Sequence, residues 1–596
     1  MKQFLITVAG VFVGLTLFAI ALPMTLLAIA AAATRPAPLP ARTVLVLDLR
    51  GGVSDQDPQN PLSLFGGKAA SVMRIERTLR AAQTDARVRA LFVRAPDAGI
   101  DPAAADELRE AFKRFRAAGK PILVHSQGFY PEGMITSTYE LAAASGDLWM
   151  QPASSFQVTG AARQDIFFKR LFDHYGVSAD YQQRYEYKNA VNPYLFSDYT
   201  PAHRASELSW LGSVYETALD DAAQDRGLGS AALKAVIEAG PWSAEDAKAR
   251  GLVDQIGQVK DAERAILAKA GKGAKLSPFG DYAAGGHASD GLEGGPGSPT
   301  LAVISGEGEI VTGTARHASP LDDGKAAMHS DDVARAFYAA IEDSDVKAIV
   351  FRVSSPGGSD TASEQIAAAV RAARAAGKPV VVSMGTYGAS GGYWISSGAS
   401  AIVAEPTTLT GSIGVFGGKF VLGPALARLG VDVRDLKVGG DYADAFSPGA
   451  AMSATQRAAF SAWMDRIYAG FVARVAEGRR LPVPQVEAMA RGRVWTGAQA
   501  KALGLVDELG GFYQAVDRAK ALAGIKGAAH LATFSTQASP FEALGRLFGA
   551  GAEGAQTLGA ALWLAGDPNV QALLADARQA RLREQGATVL APRLLP

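Results

Sequence analysis

The chain has 596 residues, 48% of them hydrophobic, more than a single core usually organises, so two or more domains are expected. Its 59 basic and 59 acidic residues cancel with no basic block in either half, which argues against a nucleic-acid partner. The absence of cysteine excludes disulfides, thiolate catalysis and cysteine-ligated metals, and the seven histidines form neither HExxH nor another recognisable ligand spacing.

Residues 4–33 are almost wholly apolar, long enough for a helix to cross a hydrocarbon layer of about 30 Å. A cleaved secretory signal has a shorter apolar core, about 7–15 residues, so a membrane-spanning anchor is expected. Lys2 before it, with Arg35 and Arg42 after it, leave its direction open on charge alone. Beyond it, TVLVLDL (43–49) predicts a strand, 69–82 a helix and 90–93 a strand. A helix over 102–118, closed by Gly119-Lys120-Pro121, leads to a strand at 122–125. This alternation predicts α/β layers with right-handed crossovers.

The glycine- and proline-rich stretch GGHASDGLEGGPGSP (285–299) predicts a linker. The alternation then returns: strand 301–305, helix 331–342, strand 348–353, helix 359–376 and strand 379–384. The expected organisation is an N-terminal anchor (1–36), a first domain (37–284), the linker, a second domain (300–530) and a C-terminal extension (531–596). The extension is rich in Ala and Leu and shows no chemical role.

The second domain repeats the first. DARVRALFVRAPDAGI (85–100) reappears as SDVKAIVFRVSSPGG (344–358), with Val88 falling on Val346 and Arg94 on Arg352. The same offset places Gly119-Lys120-Pro121 on Gly377-Lys378-Pro379, and GPWSAEDAKARGLVD (240–254) returns as GRVWTGAQAKALGLVD (492–507). Chemistry differs between the copies. That offset sets Glu132 opposite Ser390, and a later pairing sets Tyr442 opposite Lys188. Each half thus keeps one part of a two-part site, which points to a serine/lysine hydrolase.

Ser390 lies in Gly388-Ala389-Ser390-Gly391-Gly392, directly after the strand ending at 384. Glycines there let a substrate backbone come close, and amides at a helix start point toward an acyl oxyanion. A turn of small residues needed only for packing has the same pattern. The loop Ser354-Ser355-Pro356-Gly357-Gly358 offers further amides, where the first copy reads Pro96-Asp97-Ala98-Gly99-Ile100. A serine also needs a proton acceptor. His317 and His329 sit in a polar stretch typical of surface residues. Lys188, in Tyr185-Glu186-Tyr187-Lys188, precedes a segment of mixed polarity (189–194) expected to line a cleft. A lysine buried there holds a neutral amine near operating pH, although most lysines are solvated.

Taken together, GTYGASGGYWIS (385–396), SSPGG (354–358), TGSIGVFGG (410–418), YEYKNAVNPY (185–194) and the apolar N-terminus resemble signal peptide peptidase A in its long, duplicated, membrane-anchored form. The resemblance covers nearly the whole chain to about residue 520. It implies Ser390 as nucleophile, Lys188 as base and Ser412, 22 positions beyond the nucleophile, as a residue orienting the lysine. It also implies Gly358 and Gly391 as oxyanion amides. Asn189 stands where relatives commonly have serine, which puts one contact beside the lysine in doubt.

Further implications are tandem ClpP/crotonase-like domains, a dome-shaped homotetramer, and cleaved signal peptides or other extended apolar peptides as substrates. A single-pass protein of a bacterial inner membrane is implied, with its catalytic domains in the periplasm and no metal, nucleotide or redox cofactor. Two other readings stay open: a crotonase-like acyl-CoA enzyme and a noncatalytic membrane scaffold.

Overall fold

Short runs of branched apolar residues, separated by amphipathic stretches, fold in the computed structural model into two mainly parallel sheets flanked by helices. The structure describes residues 39–57, 70–284, 297–315 and 326–534. The apolar segment 4–33, residues 285–296 of the expected linker, His317 and the tail beyond 534 lie outside these residues. Among the described residues no helix is long and apolar enough to cross a membrane.

The first sheet runs in the order Gln255–Ile256, Leu148–Met150, Ile122–Ser126, Val88–Arg94, Thr43–Asp48 and Lys275–Pro278, with every pairing parallel. The second, of eight strands, repeats this order in Glu508–Leu509, Ala401–Ala404, Val380–Ala389, Val346–Ser355, Thr300–Glu307 and His530–Thr533, again all parallel. It adds Leu409–Gly411 beside Val380–Ala389, with Val494–Thr496 antiparallel to that added strand. The duplication therefore extends to strand order. Parallel strands covered on both faces need continuous apolar runs, and Val346–Ser355 exposes only Lys347. The helix expected from residue 69 begins at Val72, because Ala70–Ser71 pairs as a short strand and Ser71 caps the helix by accepting from Arg74 N at 3.1 Å.

Each half carries a 26-residue helix, Pro201–Arg226 and Ala454–Arg479. The last arginine of each pairs with the aspartate of a Gly-Leu-Val-Asp turn: Arg226 with Asp254 at 2.7 Å, Arg479 with Asp507 at 2.6 Å. In the same way Tyr139 and Tyr393 donate their hydroxyls to the carbonyls of Leu252 and Leu505. These contacts make Tyr139 the counterpart of Tyr393, which corrects one sequence pairing. Thr136, not Glu132, stands opposite Ser390, because the first copy has a longer turn between Ile122–Ser126 and the helix Ile135–Ala143.

The halves are joined by a strand from each. Ser178–Gln183 pairs antiparallel with Phe416–Val421, Gln183 lying opposite Phe416. Backbone hydrogen bonds along this ribbon fix where the chain after Gln183 enters the second half, and that chain carries Lys188.

Candidate active site

Ser390 occupies the turn between Val380–Ala389 and the helix Gly391–Ser397. Its φ of 53° and ψ of −118° are unusual for a residue with a side chain, a conformation costing about 1–3 kcal/mol that surrounding contacts must hold in place. They do so from both sides. Ser390 N donates to Gly411 O at 2.9 Å, and its carbonyl accepts from Tyr393 N and Trp394 N. The turn aims Oγ out of the sheet into a cleft.

The diglycine loop passes directly over this turn. A Cβ at Gly357, whose φ is +110°, would stand 2.7 Å from Ser390 Cβ; one at Gly391 would stand 3.1 Å from Gly358 N. Only glycine permits that approach, which brings the 358 and 391 backbones together beside Ser390. Ile310 pins the loop, its N–H donating to Gly357 O and its carbonyl accepting from Ser359 N, both at 2.9 Å.

Lys188 reaches the cleft from the other half. Its Nζ lies 2.9 Å from Ser390 Oγ, 2.9 Å from Ser412 Oγ and 2.9 Å from Ser412 O. The side chain is buried, and burial alone lowers its pKa from 10.5 to about 7. Among the described residues no carboxylate opposes the shift, so the amine has a large neutral fraction near neutral pH. The motif around it is braced by Glu186, which accepts from Arg491 at 2.8 Å, while the Arg491 guanidinium lies 4.6 Å from the Tyr185 ring centre. Ser412 is held in turn by its own N–H, which donates to Arg493 O at 2.8 Å.

The structure thus brings together Ser390, Lys188, Ser412, Gly358 and Gly391, within one chain. It does not bring 189–194 to the cleft: Tyr194 instead stacks on Phe168 and Phe172. Tyr442 lies exposed beside Phe446. Two residues escape sequence reasoning. A Cβ at Gly492, whose φ is +82°, would stand 2.6 Å from Lys188 Cβ, and one at Gly414 would stand 3.3 Å from Lys188 Cδ. These glycines form the slot for the lysine stem. The repeated GRVW motif marks Gly492 as part of the duplication but carries no sign of the lysine it faces. Gly492→Ala is expected to lower kcat/KM about 100-fold while the protein stays folded, since displacing the amine by an ångström is enough. Steady-state kinetics beside circular dichroism checks this, and full activity would refute the slot.

The cleft measures about 330 Å³. Apart from Lys188 it is lined by the second half, with Trp394, Phe446, Phe460, Met464, Ile467 and Phe471 forming an apolar wall next to Ser390. Among the described residues no histidine lines it. A hydroxyl facing an amine of lowered pKa, the Gly358 and Gly391 backbones lining one side and an apolar wall suit attack on the carbonyl of an extended apolar chain.

Known proteins agree with a peptidase reading. The family described as Peptidase family S49 matches residues 114–273 and 372–526, one block in each half. The chain is 33% identical over 511 residues to Protease 4 of Salmonella typhi, covering 82% of this chain and 79% of that protein. It is 30% identical over 539 residues to Protease 4 of Haemophilus influenzae, covering 86% and 83% respectively. Among solved structures, a ClpP1 mutant from Listeria monocytogenes aligns with a TM-score of 0.23 and 15% identity, over 36% of this chain and 94% of that one.

Proposed function

Since the chain belongs to peptidase family S49, as a serine peptidase of the long, duplicated signal peptide peptidase A type, we propose that it cleaves extended apolar peptides with a Ser390/Lys188 dyad. The single observation carrying this reading is the placement of the buried Lys188 amine 2.9 Å from Ser390 Oγ.

In the proposed cycle, neutral Lys188 takes the Ser390 proton as Oγ attacks a peptide carbonyl. The amides of Gly358 and Gly391 stabilise the tetrahedral oxyanion, and the lysine ammonium passes its proton to the leaving amine. A water activated by the same amine then hydrolyses the acyl-enzyme. Ser412 holds the amine toward Ser390 through its hydroxyl and carbonyl. Replacing it by Ala is expected to lower kcat about 10–100-fold with little change in KM, as for an interaction acting on the base rather than on substrate.

The apolar wall supports an apolar residue before the scissile bond, as in the cores of cleaved signal peptides. The proposed setting is a bacterial inner membrane, anchored by 4–33 with the catalytic halves in the periplasm, as a homotetramer of ClpP/crotonase-like domains. This setting rests on the apolar N-terminus and on the family. The test of substrate class is a fluorogenic peptide pair differing at that one residue, Leu against Asp. The Leu peptide is expected to be turned over at least about 100-fold faster; equal rates would overturn the assignment.

Deprotonation sets the pH dependence. Because only the neutral amine accepts the proton, kcat/KM is expected to rise with pH through about 7, following one group. A profile that falls across that range would remove Lys188 from the base role.

A further inference from the structure

The two halves solve the same packing problem with opposite charges. In the second half, Glu364 of the helix Asp360–Ala375 accepts from Trp394 Nε1 at 3.0 Å and from Arg474 Nε at 2.6 Å. The contacts that align the copies identify the three counterparts. The paired 16-residue helices match Asp106 to Glu364, the tyrosine pair matches Glu140 to Trp394, and the paired 26-residue helices match Asp221 to Arg474. The second half surrounds one carboxylate with Trp394, Arg474 and, from its own helix at 2.7 Å, Arg371; the first half places two more carboxylates at the Trp394 and Arg474 positions.

Among the described residues of the first half, none replaces the Trp394 and Arg474 donors. Glu140 is fully buried, and among the described residues no N–H or hydroxyl donor reaches either of its oxygens, nor Oδ1 of Asp106; the two carboxyls lie within hydrogen-bonding reach of each other. Arg109 directs its guanidinium to Asp225 at 2.5 Å, Asp221 at 3.0 Å and Gln224 at 3.1 Å, and bonds neither Asp106 nor Glu140. One oxygen from each of Asp106, Glu140 and Asp221 lies within 4.8 Å of the others. That spacing matches oxygens sharing a cation with bonds of about 2.3–2.6 Å, and a donor set of oxygen alone selects a hard ion. Asp221 is one-quarter exposed, which leaves a side for entry and for water ligands.

We propose that Asp106, Glu140 and Asp221 bind one hard divalent cation, which does for the first half what Arg474 and Trp394 do for the second. The site touches the seam between the halves. Asp106 Oδ2 accepts from Thr407 N at 3.0 Å and from Thr407 Oγ1 at 2.7 Å, and Thr407 precedes the strand Leu409–Gly411, which leads directly into Ser412. The cation would therefore brace the first half against the strand supporting the Lys188 amine.

The test uses the purified full-length chain, stripped with chelator and titrated with CaCl2, MgCl2 or MnCl2. At saturation one of these is expected to raise the unfolding temperature by about 5 °C with one metal atom per chain by elemental analysis. In Glu140→Gln that increment is expected to vanish, whatever the variant's own unfolding temperature. In the double variant Glu140→Trp, Asp221→Arg, which installs the donors of the second half, the stripped protein is expected to unfold near the cation-loaded wild type and to ignore added metal. A stripped wild type that responds to none of the three ions would overturn the proposal and assign the cluster to shared protons. So would an increment undiminished in Glu140→Gln.

Discussion

Ser390→Ala and Lys188→Met are each expected to lower peptidase kcat/KM by at least about 10⁴-fold, and the double variant to be no worse than either single one. That non-additivity is the signature of two residues acting as one unit, since a hydroxyl without its base and a base without its hydroxyl are equally idle. Loss of activity through unfolding is separated by the sign of the stability change. Burial lowers the Lys188 pKa, so the folded protein binds the proton less tightly than the unfolded chain does. The resulting penalty on the native state is full below about 7 and disappears as pH rises toward 10.5. Lys188→Met removes it and fills the slot with an apolar side chain. The inactive variant is therefore expected to unfold at a temperature at or above wild type near neutral pH. Differential scanning calorimetry beside the kinetics checks both halves of this. A Lys188→Met protein that is folded and retains more than about one-hundredth of wild-type turnover would send the search to another base.

The second large effect lies away from the cleft. Arg352 is almost fully buried between the halves, bonded to Asp55, to Glu107 at 2.7 Å and to Ser383 at 2.9 Å. Glu107 also accepts from Phe512 N at 2.7 Å, so one guanidinium anchors the first half to two strands and a helix of the second. Arg352→Met would leave two carboxylates buried with their cation gone, at a cost of about 3–5 kcal/mol. The variant is expected to lose denaturant resistance by that amount, and to be cut by a nonspecific protease at the seam. Arg352→Met together with Asp55→Asn and Glu107→Gln should recover much of the loss, since the unpaired charge, rather than the missing contact, is what destabilises. If the single variant unfolds like wild type, the ion pairs contribute nothing. The matching residue of the first copy, Arg94, faces outward instead and bonds the exposed Gln127. An arginine at the same place in the repeat thus serves two purposes.

Local chemistry accounts for what can be read without coordinates. Strand and helix periods, the Gly-Lys-Pro stops and the two repeated motifs are enough for an alternating α/β order told twice, because each depends on residues within a few positions of one another. Ser390 is legible for the same reason: a serine among glycines after a strand is a local pattern, as are the diglycine at 357–358 and Ser412 in its Thr-Gly-Ser turn. Lys188 is legible only by resemblance, since nothing near it in sequence separates it from a solvated lysine.

Tertiary structure alone decides what depends on distant partners. The Lys188 amine meets an oxygen 202 positions away and is stripped of water by the slot that Gly414 and Gly492 leave open. Its lowered pKa is therefore a property of the assembled halves. The counterpart of Ser390 shifts from Glu132 to Thr136 because a tyrosine hydroxyl bond more than a hundred residues long, not the offset of a strand, sets the register there. Asp106, Glu140 and Asp221 stand on three separate helices and look like ordinary surface acids in sequence. Burial and charge are sums over neighbours in space, and chain folding supplies those neighbours from positions that no local pattern connects.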